Sequence, residues 1–556
     1  MIFLNTTIYF VALILAFFSF IGYGMFYQKV ICREKTKLNN IFNYSFFGII
    51  LLLPLGFFNY LILGNILWFN IIIILFGLLF LLRKISKSES YLIIIFSLIF
   101  FSGILISKTH EDFSVYHFQH LKELSDNFLK FGLGNLDERY VYSSNFSYLQ
   151  LVFQLPYFGL KLLNIPSFLI YLSLIGYLFE EIRNKQSNKR FISLFFLILL
   201  ILKFKRFSEF GYDYIGQFIL IYLFIEYVFN YKNLKLYNYI NFCLIFLITV
   251  LIKISNLYFA PLVFFVVFFN NKNLKKIIFN KTLIFLSLLM LFIFTSNSFI
   301  KTGCLNYLLK PSCVSPNIFK WVIKYEKIDY TKDVVKNWTK GFHLQRKNVL
   351  DKATYNKNYN WVNNWIKIHF LVKILDYLIV VFVIFLISKF LILNKSKINN
   401  KRKISRNILL NTSILFCLLI WFSLFPQFRF GIFGITITIF ILLKFIFNPN
   451  DQINNKKFIA LFLISIIYFN FININRIYKD FNRNDIYQFN NFPWVVFPNL
   501  KFKKKKIDNL ILFRSSKNNN FWRTCWNAPG ICANHDRSIN LRKNKRLIFI
   551  EDTNSN

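Results

Sequence analysis

The chain has 556 residues, 56% of them hydrophobic and 74 of them Phe, with a mean hydropathy of +0.47. Apolar runs of about 17 to 25 residues, the length that crosses a bilayer core, exclude a soluble protein of several ordinary domains. The net charge of +42 does not point to nucleic acid, because many Lys and Arg lie in short loops between apolar runs, as the positive-inside rule requires.

Taken in order, the runs predict an all-α polytopic membrane protein with about fourteen transmembrane helices. The first four lie at about 6–27, 42–60, 64–82 and 91–107, and the first lacks the basic n-region and cleavage site of a removable signal. Lys29, Arg33, Lys35 and Lys37 after the first span, and Arg83, Lys84 and Lys87 after the third, read as cytoplasmic. Residues 1–107 therefore form a first membrane unit, with the N-terminus and the candidate active-site loop 108–166 outside.

Within that loop Phe118, Leu121, Leu124, Phe128 and Phe131 recur at helical spacing, which predicts a helix lying on the outer membrane surface. Gly132 and Gly134 end it. A second apolar segment, about 147–163, reads as a span or as another surface helix. The inner charges Arg183, Lys185, Lys189 and Arg190 leave room for one crossing, at about 167–182. Spans at about 191–203, 214–230, 239–255, 257–270 and 282–299 complete a unit 167–300. An outer insert, 301–368, then precedes spans at about 369–393, 408–425, 431–448 and 457–473. Residues 369–473 form the last membrane unit, and 474–556 a small extracytoplasmic tail.

Cys304 with Cys313, and Cys525 with Cys532, fall in segments already placed outside and suggest two short-loop disulfides. Lys501, Lys503, Lys504, Lys505 and Lys506 read as contacts to anionic headgroups or as solvated charges.

Chemistry is expected in the first outer loop. Glu111 and Asp112 lie just past the fourth span. A carboxylate there is suited to serve as general base toward an acceptor hydroxyl, or to hold a divalent cation (Mg or Mn) against a lipid phosphate. The plainer reading is a pair of helix-N-terminal acids stabilised by the dipole. Asp112 and Tyr116 share a helical face; His117 and His120 are ligands or interfacial side chains. Asp137, Glu138 and Arg139 follow in the same loop. Asp213, with Glu209, is a second acid or a solvated turn residue. Arg429 is the one charge in the turn PQFRFG, 426–431. Its fork suits a phosphate or diphosphate, or it anchors at the interface beside Phe428 and Phe430. Motifs of the type GxxxxGK[ST], GxSxG or HExxH do not occur, so an ATPase, a hydrolase elbow and a zincin have no support.

The stretches EDFSVYHFQ and GLGNLDERYVYSSNF are similar to a bacterial family of multi-pass membrane proteins of unassigned function. Tyr116, His117, Gly132, Leu133, Asn135, Leu136, Arg139, Ser143 and Ser144 match its loop pattern, and PQFRFG and CWNAPGIC (525–532) look like its later motifs. That resemblance implies no activity. The layout also resembles the GT-C superfamily of integral-membrane glycosyltransferases, which take a sugar from a polyprenyl-phosphate donor. Those enzymes carry an acid in the first large outer loop, two surface helices after it, and often a second acid in a later outer loop. Glu111 or Asp112, helices near 115–131 and 147–163, and Asp213 fit that plan, although three spans come ahead of the one that leads to the first acid.

The resemblance implies a GT-C-like glycosyltransferase of the bacterial inner (plasma) membrane, building a cell-envelope glycan on the outer face. Asp112 or Glu111 would be base or metal ligand, Asp213 a second acid, and Arg429 with His117 would hold the donor phosphate beside Tyr116 and Arg139. Expected partners are membrane lipid and a polyprenyl-phosphate sugar, with no nucleic acid; no cofactor is certain. The competing readings are a lipid-linked saccharide flippase or transporter, which should show charges inside spans and internal repeats, and a glycan polymerase or ligase of another fold, relying on Arg and His.

Overall fold

The computed structural model describes residues 2–34, 40–82, 84–105, 112–142, 144–185, 187, 189–207, 211–229, 234–268, 274–344, 351–391, 404–447, 453–481, 492–494, 501–507, 509–515, 525–526, 528–533 and 539–553.

Over its described residues, each run read as a span is mainly helical. Helices α1 (Ile2–Phe26), α2 (Asn43–Phe58), α3 (Leu67–Leu82) and α4 (Lys87–Phe100) precede the first loop, which holds α5 (Phe118–Ser125). Next come α6 (Ile165–Arg183), α7 (Arg190–Lys203), α8 (Asp213–Leu223), α9 (Leu236–Ile252), α10 (Ala260–Phe268) and α11 (Lys281–Thr302). The insert contributes α12 (Tyr325–Thr339), and α13 (Leu375–Phe390), α14 (Ile404–Leu424), α15 (Phe428–Phe447) and α16 (Asn455–Phe481) complete the helical part.

Among the described residues, seven stretches are long and apolar enough to cross a bilayer: Ile2–Ile31, Asn43–Leu63, Leu160–Arg183, Lys281–Thr302, Trp361–Phe390, Phe428–Ile446 and Asn455–Lys479. Their exposed positions, such as Ile379, Val383, Ile464 and Ile467, are apolar, which suits lipid and not water. The first three helices pack backbone to backbone. A Cβ on Gly24 would lie 1.7 Å from the carbonyl oxygen of Tyr44, and one on Gly22 would lie 1.9 Å from that of Gly77.

Three features depart from the expected all-α layout. First, the tail is a β structure. Strands β1 (Leu129–Phe131), β2 (Phe502–Ile507), β3 (Leu510–Ser515), β4 (Cys532–Ala533), β5 (Ile539–Asn544) and β6 (Leu547–Asp552) form two sheets, β1-β6-β5 and β2-β3-β4. Strand β1 comes from the first loop and pairs in parallel with β6, Leu129 opposite Leu547 through Phe131 opposite Phe549. Runs such as LILF and LIFI are too short to cross a bilayer but long enough for a half-buried strand.

Second, the amphipathic helix of the loop stops at Ser125 and lies under protein, not on lipid. Phe118, Gln119, His120, Leu121, Glu123 and Leu124 are all buried. Glu123 meets the buried Lys130 at 2.7 Å, and Lys130 meets Asp126 at 2.6 Å; charges this deep require such partners. Third, most of 147–163 is neither a span nor a surface helix, and only its end, from Leu160, leads into the crossing that closes at Arg183. A six-residue helix, Phe146–Leu151, gives way to turns around Pro156 and Gly159, where φ is +54°. An amide cluster fastens this segment down: Asn70 receives from Asn59 (2.8 Å) and donates to the carbonyls of Leu151 and Gln154 (both 2.9 Å).

Loop, insert and tail make one polar cap. The Asn135 amide donates to the carbonyls of Trp321 and Ile550, 2.9 Å each, so one side chain joins all three segments. Lys327 pairs with Asp552 at 3.4 Å. Disulfides close Cys304–Cys313 and Cys525–Cys532. The N-terminal end of α1 lies on the same side, with the Asn5 amide 3.5 Å from the carbonyl of Phe492 and Tyr9 against Trp494.

Candidate functional site

Four helix ends meet where the helices reach the cap, and each delivers one charge. Asp112 precedes the π turn Phe113–His117 that leads into α5, yet its side chain makes no capping bond. Asp213 is the first residue of α8, Lys253 follows the last residue of α9, and Arg429 is the second residue of α15.

The Arg429 Nη1 lies 3.1 Å from Asp213 Oδ2 and 3.7 Å from Asp112 Oδ2. Lys253 pairs with the other oxygen of Asp213. The guanidinium also rests against the rings of Trp338, 4.7 Å away, and Phe430, 5.2 Å away. Two carboxylates and two cations thus alternate through one cluster.

Supporting bonds fix this geometry. One turn below Asp213, Gln217 donates to Asn256 (2.9 Å) and to the carbonyl of Phe430 (3.4 Å), tying α8 to the start of α15. The turn before Arg429 is held by the Trp365 indole on the carbonyl of Pro426 (2.6 Å) and the Trp421 indole on that of Gln427 (3.0 Å). These partners leave Arg429 a defined position.

Beside the cluster runs a narrow crevice lined by Tyr116, His117, His120, Ser147, Gln150 and Tyr212. His117 packs tilted against Tyr116 at 4.1 Å and meets Tyr212 edge-on at 4.9 Å. Burial, helped by Lys301 and His117, pushes His120 well below the ordinary imidazole range, so it is neutral; its Nδ1 lies 3.4 Å from Ser147 Oγ. Burial, with Tyr212, Asp213 and Asp112 adding to it, raises the Tyr116 phenol well above its usual value. Arg139 pairs with Asp137 at 3.2 Å and covers the Tyr116 ring at 5.7 Å, one layer out from Arg429. Glu111 and Glu209 lie outside the described residues.

Asp213 is set apart from Asp112 by its partners. Burial alone would raise its pKa, but Lys253 and Arg429 outweigh burial and hold it at about 2. A carboxylate this acidic is a poor proton acceptor at neutral pH and is better read as the counter-ion that arrays two cations. Because the folded value lies below the ordinary 3.8, the stabilisation is present above about pH 4 and fades as pH falls through 2. We expect Asp213→Asn to remove on the order of 2 kcal/mol at pH 7 and well under about 1 kcal/mol at pH 2. Thermal melts in detergent at several pH values would check this; a loss equal at both extremes would refute the ion-pair account.

The described residues do not fit a divalent cation. The two carboxylates that would ligate it face Arg429 and Lys253, and no group of three His, Cys, Asp or Glu stands together among the described residues.

The tail reaches this site as well. Trp526, next to the Cys525–Cys532 disulfide, packs edge-on against Phe113 at 5.9 Å, and the Cys532 amide donates to Glu123 Oε1 at 3.4 Å. Trp526→Ala should speed hydrogen exchange of residues 113–118 about tenfold, with α6 unchanged. Unaltered exchange there would show that the tail does not brace the loop.

Sequence reasoning missed Lys253, Gln217 and Trp338. Lys253 carried a usable signal as the lone charge between two apolar runs. Gln217 and Trp338 carried none, because their importance arises from neighbours distant in the chain.

A family model described as a domain of unknown function (DUF8201) matches residues 7–436. That stretch holds Asp112, Asp213, Lys253 and Arg429 and ends before the tail. No curated protein and no solved structure matches the chain.

Proposed function

We propose that the chain, which belongs to the DUF8201 family, is an integral-membrane glycosyltransferase of GT-C-like design that moves a sugar from a polyprenyl-phosphate donor to a cell-envelope acceptor. One observation carries this reading. Asp112, Asp213 and Arg429 come from segments about a hundred residues or more apart, yet Arg429 touches both carboxylates where apolar helices meet a polar cap. A phosphate on a lipid tail presents its charge at that level, and a side-by-side Arg and Lys offer it a bidentate fork and a point charge.

In this reading Arg429 and Lys253 take the donor phosphate, partly displacing their bonds to Asp213. Asp112 is the general base, for it has the longer contact to Arg429 and is more exposed, 33% against 15% for Asp213. His117 and Tyr116 wall the acceptor side. Lys203 at the cap-side end of α7 and Lys205 in the turn after it, seated over the rings of Tyr377 and Tyr468, add positive charge on the side where the positive-inside rule expects less of it.

We read the shorter helices as crossings too, fourteen in all. The N-terminal end of α1 and the tail share one side, which needs an even number; seven crossings would separate them. The two disulfides support a cap facing an oxidising compartment, outside a bacterial plasma membrane.

The test is turnover of a radiolabelled panel of polyprenyl-phosphate sugars by the purified chain. Transfer or donor hydrolysis is the expected result. Tight binding of these lipids without turnover would replace the transferase by a lipid-linked saccharide flippase.

A further inference from the structure

A second cleft lies on the cap side, away from the charged cluster, between the end of α2 and the tail hairpin. Its volume is about 470 Å³, and Leu61, Leu129, Asn544, Lys545, Arg546 and Leu547 line it. One wall is apolar and the other is cationic, with no acid among the lining residues.

Its depth in the membrane follows from α2. The helix continues as a π segment, Asn59–Leu63, and ends at Gly64 in a left-handed turn, φ +73°. Arg546 caps that end, donating to the carbonyls of Ile62 (2.5 Å), Tyr60 (3.3 Å) and Asn127 (3.1 Å). A Cβ at Gly64 would sit 2.5 Å from its Nη2, so a larger residue there would push the guanidinium aside as well as strain the left-handed turn. Ile62, next to Leu61 in the cleft wall, and Ile66 and Trp68 where α3 starts are exposed, as interfacial and lipid-facing residues are. The cleft therefore opens at headgroup level.

The hairpin tip is built against local preference. Asn544 pairs with Leu547, leaving Lys545 and Arg546 as a two-residue turn. Lys545 takes φ +51°, a conformation that favours glycine or asparagine. A long cation held in that strained position, solvent-exposed and lining the cleft, needs a reason beyond turn formation. Lys543, exposed two residues earlier and over the Phe128 ring at 4.5 Å, adds a second positive charge nearby.

We infer that this cleft binds the phosphate headgroup of an anionic glycerophospholipid from the cap-side leaflet. Lys545 meets the phosphate, the charge of Arg546 adds to the field, and Leu61, Leu129 and Leu547 receive the glycerol and the first methylenes. An occupied cleft would brace β6 against β1, and with it the loop that carries Asp112.

The test is native mass spectrometry of the delipidated full chain with phosphatidylglycerol, phosphatidylcholine or soluble glycerol 3-phosphate. Phosphatidylglycerol should be retained well above phosphatidylcholine. Lys545→Asn, which suits the left-handed turn and removes only the charge, should lower that retention about fivefold, and Lys545→Arg should restore it. An unchanged melting temperature of lipid-free Lys545→Asn would show that the hairpin is intact. Equal retention of the two lipids, an unaltered Lys545→Asn, or displacement of the lipid by glycerol 3-phosphate at similar concentration would each overturn the assignment. Binding is read without turnover, so failure of the transferase proposal leaves this outcome legible.

Discussion

Asp112→Asn should lower sugar transfer by about two to four orders of magnitude, the usual weight of a positioned general base. The substitution keeps shape and hydrogen-bonding capacity but removes the proton acceptor. Its effect on folding should be small, because the 3.7 Å contact to Arg429 is long, the side chain is one-third exposed, and such pairs contribute about 1 kcal/mol or less. The combination is diagnostic: a near-normal melting temperature with kcat collapsed and donor binding retained. Asp213→Asn should behave in the opposite way, losing stability and donor affinity, because it strips the counter-ion from Lys253 and Arg429 together. If Asp112→Asn keeps more than a tenth of the wild-type rate, the base lies elsewhere, and Glu111 becomes the next residue to change.

These two acids also show how far the sequence could be read. Asp112, Asp213 and Arg429 stood out because charge next to a long apolar run is costly and therefore conspicuous. Their meeting point follows from topology: each lies at a cap-side helix end, so spans counted from charge alternation already placed them on one side. What the sequence could not show was ordering within the cluster. Asp213 and Asp112 look alike as letters, and only Lys253, arriving from a different loop, makes one a counter-ion and leaves the other reachable.

The tail was harder to read. Its strands are two to six residues long, and β1, three residues, pairs with a partner more than 400 residues away, so the pairing itself has no local signal. The apolar stripe of α5 was real, but Glu123 and Gln119, on what should have been the wet face, are buried as well. A stripe predicts one covered face. It does not say that the other is free.

Arg429→Lys tests the remaining element, the fork. Lysine would keep a positive charge in the turn, so a role in simple anchoring or charge balance would survive it. The arginine does more than supply charge. Its Nη1 reaches both carboxylates, and its plane rests on Trp338 and Phe430, contacts that a single ammonium cannot make together. We therefore expect Arg429→Lys to raise the KM for a polyprenyl-phosphate sugar about tenfold and to lower kcat by a further one to two orders of magnitude. Arg429→Ala should be worse in both, and should also lower the melting temperature, since Asp213 then relies on Lys253 alone. Trp338→Phe separates the two contributions: it keeps a ring under the guanidinium and should cost less than tenfold, whereas Trp338→Ala should approach Arg429→Lys. Full activity in Arg429→Lys would mean that the charge alone matters. The phosphate would then be held by Lys253 and by the cap-side lysines at the end of α7, with Arg429 reduced to a tie between the two aspartates.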